Sequence, residues 1–400
     1  MSDYLPAEVT EEILLGLPAK SVLRFRSVCK TWYSLISNSR FAKAYLARSN
    51  QRSSPYFLFG RFEYEKEIFS LHSNPTIDDS SDFIQFDPPY DTGDIWSSTS
   101  VYKIVGSVNG LICLVDSHHN AYEKYFLWNP SVNRSVRLPL VTNLDQSPYV
   151  YCLGFGYHAP TNEYKVVRIM YLDDDTPLAV IYALNTRKWH RFTFPPSASF
   201  IVQQASVSVS MNGALHWLAQ NFMQYTYHNF ILSFDLGDEI VYHEVPVPKD
   251  LEIEGGQYSL EGGQIAMLNG LLALHGGFNN YYECHAKKHD VWVMKEYGVV
   301  ESWTKLYSID FGVRLGRVIG FKKNGEVLII TSNDKDLLLY EPNSQSIIWD
   351  LQKNDISSCY YLDNYVESLV LFDAVDGVYK QEEYDVKVER ALKIRKMHNS

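Results

Sequence analysis

The sequence predicts a small all-α module of three helices at residues 1–50, then an all-β propeller over residues 54–373 and a short basic stretch at 374–400. The propeller is expected to have six blades of four antiparallel strands, with seven as the alternative. Three observations carry this reading. From Pro6 to Ile36 the apolar residues fall at Val9, Ile13, Leu14 and Leu17, then Val22, Phe25, Val28, Cys29, Trp32, Leu35 and Ile36, largely in the three- and four-residue steps of one helix face. Past Ser53 the pattern turns to short β-branched and aromatic runs broken by Asn-Gly, Asn-Pro and Gly-Gly, as in antiparallel strands and their turns. Within that region an Asn-centred turn recurs at Asn109, Asn162, Asn212, Asn269 and Asn324, in steps of 53, 50, 57 and 55 residues.

Each helix has local support. Pro6 suits a first turn, and Glu8, Glu11 and Glu12 complement the positive end of that helix's dipole. Pro18 breaks the pattern, Ser21 offers a cap for a second helix, and a third covers Ser39 to Ala47. Helices this few bury little by themselves, so surplus apolar surface here either faces another protein or caps the domain that follows. Charge changes at the same boundary: residues 1–52 carry +4 and the remainder −15, of −11 in all.

The string LPAEVTEEILLGLPAKSVLRFRSVCKTWYSLISNSRFAKAYL resembles an F-box, the motif that docks on the Skp1-type adaptor of a cullin-RING ubiquitin ligase. The likeness rests on Leu5-Pro6, Glu12 to Leu14, Leu17-Pro18, Lys20-Ser21, Arg24-Phe25 and Val28-Cys29-Lys30 to Trp32. It implies that Leu5, Pro6, Ile13, Leu14, Leu17, Pro18, Leu23, Val28, Cys29 and Trp32 touch the adaptor or support those that do. Some of the ten must instead hold the helices together, and the sequence does not sort the two groups.

In the strand region each Asn turn is followed by a second, at Asn129, Asn185, Asp235, Lys295 and Asn343. Two hairpins in about 50 residues make the four strands of a propeller blade. Five blades run from Tyr102 to Leu351, and the fragments Tyr56 to Phe86 and Cys359 to Phe372 supply a sixth between them, closing the ring and hiding its edges. A β-sandwich gives no reason for the constant step. The order resembles that of plant F-box proteins with an F-box-associated, kelch-like C-terminal domain, through GSVNGLICL, LWNPSVNRSVRLP, GFGYHAPTNEYKVVRI, NTRKWHRF, MNGALHWLA and ILSFDLGDE. Trp189, Trp303 and Trp349 sit late in their repeats as in kelch blades, whereas the diglycines do not recur in every blade. The resemblance implies a non-catalytic subunit that joins a cullin-RING ligase through a Skp1-like adaptor and selects a protein target for ubiquitination. A propeller lectin or carbohydrate-active enzyme is the alternative.

In an up-and-down blade the first and third turns share one face of the disc, and the second turn and the inter-blade link share the other. First-face turns are short and uniform. The opposite face receives the long segments, such as YLDDDTPLA and GGFNNYYECHAKKH, where recognition is expected. Candidate target contacts there are Tyr122, Tyr149, Asp174, Phe200, Tyr225, Tyr227, Tyr258, Tyr281 and Tyr282, tyrosine being a favoured hot-spot residue. The −15 of this region predicts a target with a basic surface.

Other chemistry is not expected. Gly154 to Ala159 fits the dinucleotide pattern G-x-G-x-x-A, but Pro160 and a strand follow where a helix must begin. Cys284, His285 and His289 have no fourth ligand nearby, and Asp173 to Asp175 lack the alternating spacing of a calcium loop. No catalytic residue, metal or cofactor is assigned. Five scattered cysteines without a CxxC pair argue against a disulfide framework, the net negative charge against general nucleic-acid binding, and apolar runs of four to eight against a membrane span. A cytoplasmic or nuclear location is expected, since the N-terminus lacks a secretory pattern.

Overall fold

Two prolines start the chain's first two helices. A computed structural model describes residues 6–51, 56–63, 66–72, 83–86, 102–116, 124–141, 151–171, 176–195, 198–202, 207–223, 226–239, 242–251, 263–276, 288–310, 315–322, 325–331, 336–352 and 359–370. Helix α1 (Ala7–Leu15) follows Pro6 and α2 (Ala19–Phe25) follows Pro18, each proline standing at the N-cap, where its missing N–H costs nothing. Ser21 therefore lies inside the first turn of α2 and does not cap it. The expected second helix divides: Cys29 is extended and its Sγ accepts from the Trp32 N–H at 3.5 Å, capping α3 (Lys30–Ile36). Helix α4 (Ser39–Gln51) begins with the Asn38 side chain accepting from the Arg40 N–H at 2.8 Å and runs four residues past Ala47. The module thus has four helices where the spacing suggested three, because the apolar rhythm continues across the Ser27–Cys29 break.

The strands form six sheets in chain order. The first blade contains β1 (Tyr56–Glu63), β2 (Lys66–His72) and β3 (Phe83–Phe86). The second has β4 (Tyr102–Val108), β5 (Leu111–Asp116), β6 (Lys124–Asn129) and β7 (Arg134–Arg137), the third β8 (Tyr151–His158), β9 (Glu163–Tyr171), β10 (Pro177–Ala183) and β11 (Lys188–Thr193). The fourth has β12 (Ile201–Val202) and β13 (Val209–Met211), which share the place of one inner strand beside β14 (Ala214–Met223), then β15 (Thr226–Asp235) and β16 (Tyr242–Pro246). The fifth has β17 (Gln264–Leu268), β18 (Leu271–Gly276), β19 (Lys288–Met294) and β20 (Trp303–Asp310), and the sixth β21 (Leu315–Phe321), β22 (Val327–Thr331), β23 (Asp336–Glu341) and β24 (Ser346–Gln352). Strand β25 (Cys359–Tyr365) then returns to pair antiparallel with β1, completing the first blade in the order β25-β1-β2-β3. The fold is therefore a six-bladed propeller closed by strands from both ends of the region.

Burial explains why the middle strands read as continuous apolar runs. Each blade is covered on both sides, so β5, β9 and β10 are buried almost throughout, without alternation. A separate cluster fills every gap between blades, ending with Phe57 and Phe59 of the first against Leu328, Ile330, Leu337 and Leu339 of the sixth. The inner strands meet in a closed ring, β25 to β4 to β8 to β13 to β17 to β21 and back to β25. Two signature tryptophans rivet neighbouring blades: Trp189 Nε1 donates to the Pro139 carbonyl at 2.6 Å, and Trp303 Nε1 to the Pro246 carbonyl at 2.9 Å. Gly154 belongs to this packing, since a Cβ there would lie 2.4 Å from the ring of Trp217. The G-x-G-x-x-A string is inter-blade contact in a strand, not a phosphate cradle.

A hydrogen-bonded latch holds the closing strand. Asn129, at the end of β6 and fully buried, donates from Nδ2 to the Ser368 carbonyl at 3.1 Å, to Ser368 Oγ at 3.0 Å and to the Val370 carbonyl at 2.9 Å. Its Oδ1 accepts from the Ser131 N–H at 3.0 Å. The buried Tyr365 hydroxyl lies 2.8 Å from Ser131 Oγ, 3.1 Å from the Gly110 carbonyl and 3.2 Å from Asn129 Oδ1. Gly110, at φ +75°, has Ser368 Oγ and the Val366 carbonyl 2.5 Å from where a Cβ would stand. Two turns read only as punctuation, Asn109-Gly110 and Asn129-Pro130-Ser131, thus grip the segment after β25.

The helical module sits on the same place. Its core of Leu14, Leu15, Ala19, Val22, Ile36, Phe41 and Tyr45 includes Val132, from the β6–β7 turn, and Leu369, from the latched segment. The Tyr45 hydroxyl donates to the Leu17 carbonyl at 2.9 Å and lies 3.4 Å from Glu367 Oε2. The β6–β7 turn belongs to the short-turn face, so the helices are seated opposite the face of the long connections.

Candidate adaptor and target interfaces

The ten residues expected at the adaptor surface divide by burial. Leu14 is 1% exposed and belongs to the core of the helices, so its role is packing. Leu17, Leu23 and Trp32 are half-buried, Trp32 standing edge-on to Phe25 at 5.4 Å. Pro6, Pro18 and Cys29 are exposed, with Ile13 at 51% and Val28 at 60%. Leu5 lies outside the described residues. Val9 and Tyr33, which the motif did not single out, are 43% and 52% exposed. Val9 lies one turn before Ile13, and Tyr33 lies under the Arg26 guanidinium at 4.4 Å. The four-residue step from Val9 to Ile13, offset from Leu14, was the available signal for a second stripe on α1. Val9, Ile13, Val28 and Tyr33 are thus four large apolar side chains that the module leaves in water.

Most of the expected target contacts, Tyr122, Tyr149, Asp174, Tyr225, Tyr258, Tyr281 and Tyr282, lie outside the described residues. Tyr227 is in β15, paired with Phe222 of β14. Phe200 is a correction: it is 4% exposed, packed edge-on to Phe194 at 5.1 Å and beside Phe230 and Tyr242. The link before β12 folds back into the gap between the third and fourth blades, so Phe200 anchors that link and offers no contact surface.

Cys284, His285 and Asp173 to Asp175 also fall outside the described residues. His289 is buried, with Nε2 3.0 Å from Nδ1 of buried His275, and no group of three or more His, Cys, Asp or Glu able to hold a metal occurs among the described residues. Burial lowers His289 and His216 to about 4 and holds His275 well below the usual imidazole range. His216 is further fixed by the Tyr297 hydroxyl at 2.6 Å. These imidazoles are neutral in the fold and take up protons on unfolding, so their contribution to stability is complete above about pH 6.5 and is lost as pH falls towards 4. Asp363 acts oppositely, because burial raises its carboxyl to about 6 and favours the folded state as pH falls through that value. Among the described residues the three buried imidazoles outweigh this one buried carboxyl. Thermal melts should show a lower Tm at about pH 5 than at about pH 7, and a higher one would contradict this accounting.

The family model for the F-box domain matches residues 3–43, and that for the F-box associated beta propeller domain matches residues 60–372. The chain belongs to the F-box proteins with an F-box-associated β-propeller. An F-box/kelch-repeat protein of Arabidopsis thaliana is 29% identical over 379 residues, covering 92% of this chain and 95% of its own. The F-box protein CPR1 of Arabidopsis thaliana is 27% identical over 408 residues, covering 92% of this chain and 89% of its own. The F-box here is the four-helix module, seated by Val132 and Leu369 on the short-turn face with Val9, Ile13, Val28 and Tyr33 in water. No helix among the described residues is long and apolar enough to cross a membrane.

Proposed function

We propose that this protein is the non-catalytic substrate receptor of an SCF-type ubiquitin ligase, residues 1–50 binding a Skp1-like adaptor and residues 54–373 binding a protein target. The observation that carries the proposal is the seating of the F-box: packed on Val132 of a short turn and on Leu369, it keeps Val9, Ile13, Val28 and Tyr33 exposed, on the side opposite the one to which the strand order assigns the long connections. Ile13 and Val28, with Pro6, Pro18, Cys29 and the half-buried Leu17, Leu23 and Trp32, meet the adaptor. The long connections meet the target, which has a basic surface to match the −15 of residues 53–400. The receptor itself moves no proton and breaks no bond. It raises the effective concentration of target lysines near the ligase's catalytic partner, the geometry of the seat deciding which lysines come within reach. The work is done in the cytoplasm or nucleus, where that machinery operates.

Proximity labelling in plant cells tests the proposal, comparing the wild-type chain with a Leu17→Asp, Pro18→Ala double variant checked for folding. Adaptor and cullin should be labelled only by the wild type, while targets should accumulate around the variant. Equal labelling of the adaptor by both would overturn the assignment.

A further inference from the structure

The segment that leaves β25 touches the F-box and the second blade alternately. Glu367 reaches the helices, its Oε2 lying 3.4 Å from the Tyr45 hydroxyl, and Leu369 is 2% exposed in their core with Leu14, Val22, Phe41 and Tyr45. Ser368 and Val370 face the other way. Asn129 Nδ2 donates to the Ser368 carbonyl and Oγ and to the Val370 carbonyl, and the Val370 side chain packs on the cluster between the second and third blades. This is the period-two alternation of an extended chain, with one side of residues 366–370 committed to the helices and the other to the ring.

Neither side can be released alone. Lifting Ser368 from Asn129 withdraws Leu369 from beneath the helices and leaves the F-box core only Val132 of its two propeller residues. A module of about 45 residues buries too little apolar surface to spare such a residue. Loosening the helices in turn exposes Leu369 and removes the packing above the segment. Residues 366–370 follow directly on β25, the strand that completes the first blade against β1. The helices precede them in the chain by the whole propeller, so the F-box seat is finished only when the last strand is in place.

We propose that residues 366–370 are a strap that couples the F-box to ring closure. The F-box holds its folded, adaptor-binding form only on a closed propeller, and a folded F-box holds the ring shut. Only a complete propeller, the form whose target face is assembled, then enters the ligase. Such coupling is reciprocal, so loosening either partner loosens the other. The coupling rests on contacts within the chain, and only its use in the ligase rests on the receptor reading.

Hydrogen exchange of the full chain, read by mass spectrometry, tests it with a matched pair of glycines. Gly110 and Gly270 occupy equivalent Asn-Gly turns at φ +75° and +78°, but a Cβ on Gly110 meets Ser368 Oγ and the Val366 carbonyl at 2.5 Å, whereas one on Gly270 meets nothing within 4 Å. Gly110→Ala should speed exchange of the α1 and α4 amides at least about tenfold, while Gly270→Ala, with the same backbone strain and no contact to the strap, leaves them near the wild-type rate. In reverse, Val22→Ala in the F-box core should speed exchange in β25, and it decides alone if Gly110→Ala does not fold. F-box amides that exchange alike in the two glycine variants, or β25 exchange unchanged by Val22→Ala, overturns the proposal. Capture of a Skp1-type adaptor should fall with Gly110→Ala and not with Gly270→Ala. A wild-type chain that shows this exchange pattern and captures no adaptor would overturn the receptor reading and leave the strap standing.

Discussion

Asn129→Ala is expected to lower the melting temperature by roughly 5–10 °C, at the 2–4 °C per kcal/mol typical of domains somewhat smaller than this one. The side chain is fully buried, and its amide serves the Ser368 carbonyl, Ser368 Oγ, the Val370 carbonyl and the Ser131 N–H. Alanine leaves those groups buried without it, and each orphaned polar group costs on the order of 1–3 kcal/mol. The loss falls on ring closure, since the latched segment follows β25, which completes the first blade. Deleting residues 353–400 is the extreme case: it removes β25, the latch and Leu369 beneath the F-box together, and no cooperative melt should remain. A circular dichroism melt of each variant decides, and an Asn129→Ala protein melting within a degree or two of the wild type would show that the latch contributes little.

Ile13→Asp with Val28→Asp should abolish capture of a Skp1-type adaptor, a loss of at least about a hundredfold in affinity, with the Tm unchanged. Both side chains are more than half exposed, so a charge there meets water in the free protein and is buried only in a complex. Leu14→Asp is the contrasting variant. It places a charge among Ala19, Val22, Ile36, Phe41 and Tyr45 and should unfold the F-box, lowering the Tm and the binding together. Binding assays and melts on the three proteins separate contact from packing. Adaptor affinity retained by the folded Ile13→Asp, Val28→Asp chain would move the interface elsewhere.

The propeller was legible because its signal is repeated: Asn109, Asn162, Asn212 and Asn269 all hold φ near +50°, a conformation with few tolerant residues, at a step close to one blade. The pairing of the two end fragments followed from the same counting. The break at Ser27–Cys29 was not legible, because the apolar step continues through it and cysteine is a poor signal for a helix cap. Leu14 and Ile13 are adjacent and both apolar, and only the packed module shows which is in its core. Phe200 was misplaced for a related reason. An aromatic in a link reads as loop surface until the Phe194, Phe230 and Tyr242 that enclose it are assembled. The latch joins Asn129 to Ser368 across 239 positions and has no local pattern. The F-box seat through Val132 and Leu369 was invisible in the same way, although it fixes which face of the disc the helices cover.

The most direct measurement is a calorimetric titration of the purified full-length chain with a Skp1-type adaptor. A saturable one-to-one complex, lost with Ile13→Asp and Val28→Asp, is the predicted result. A folded wild-type chain that releases no heat and forms no complex on gel filtration would contradict the assignment of this protein as a ligase receptor.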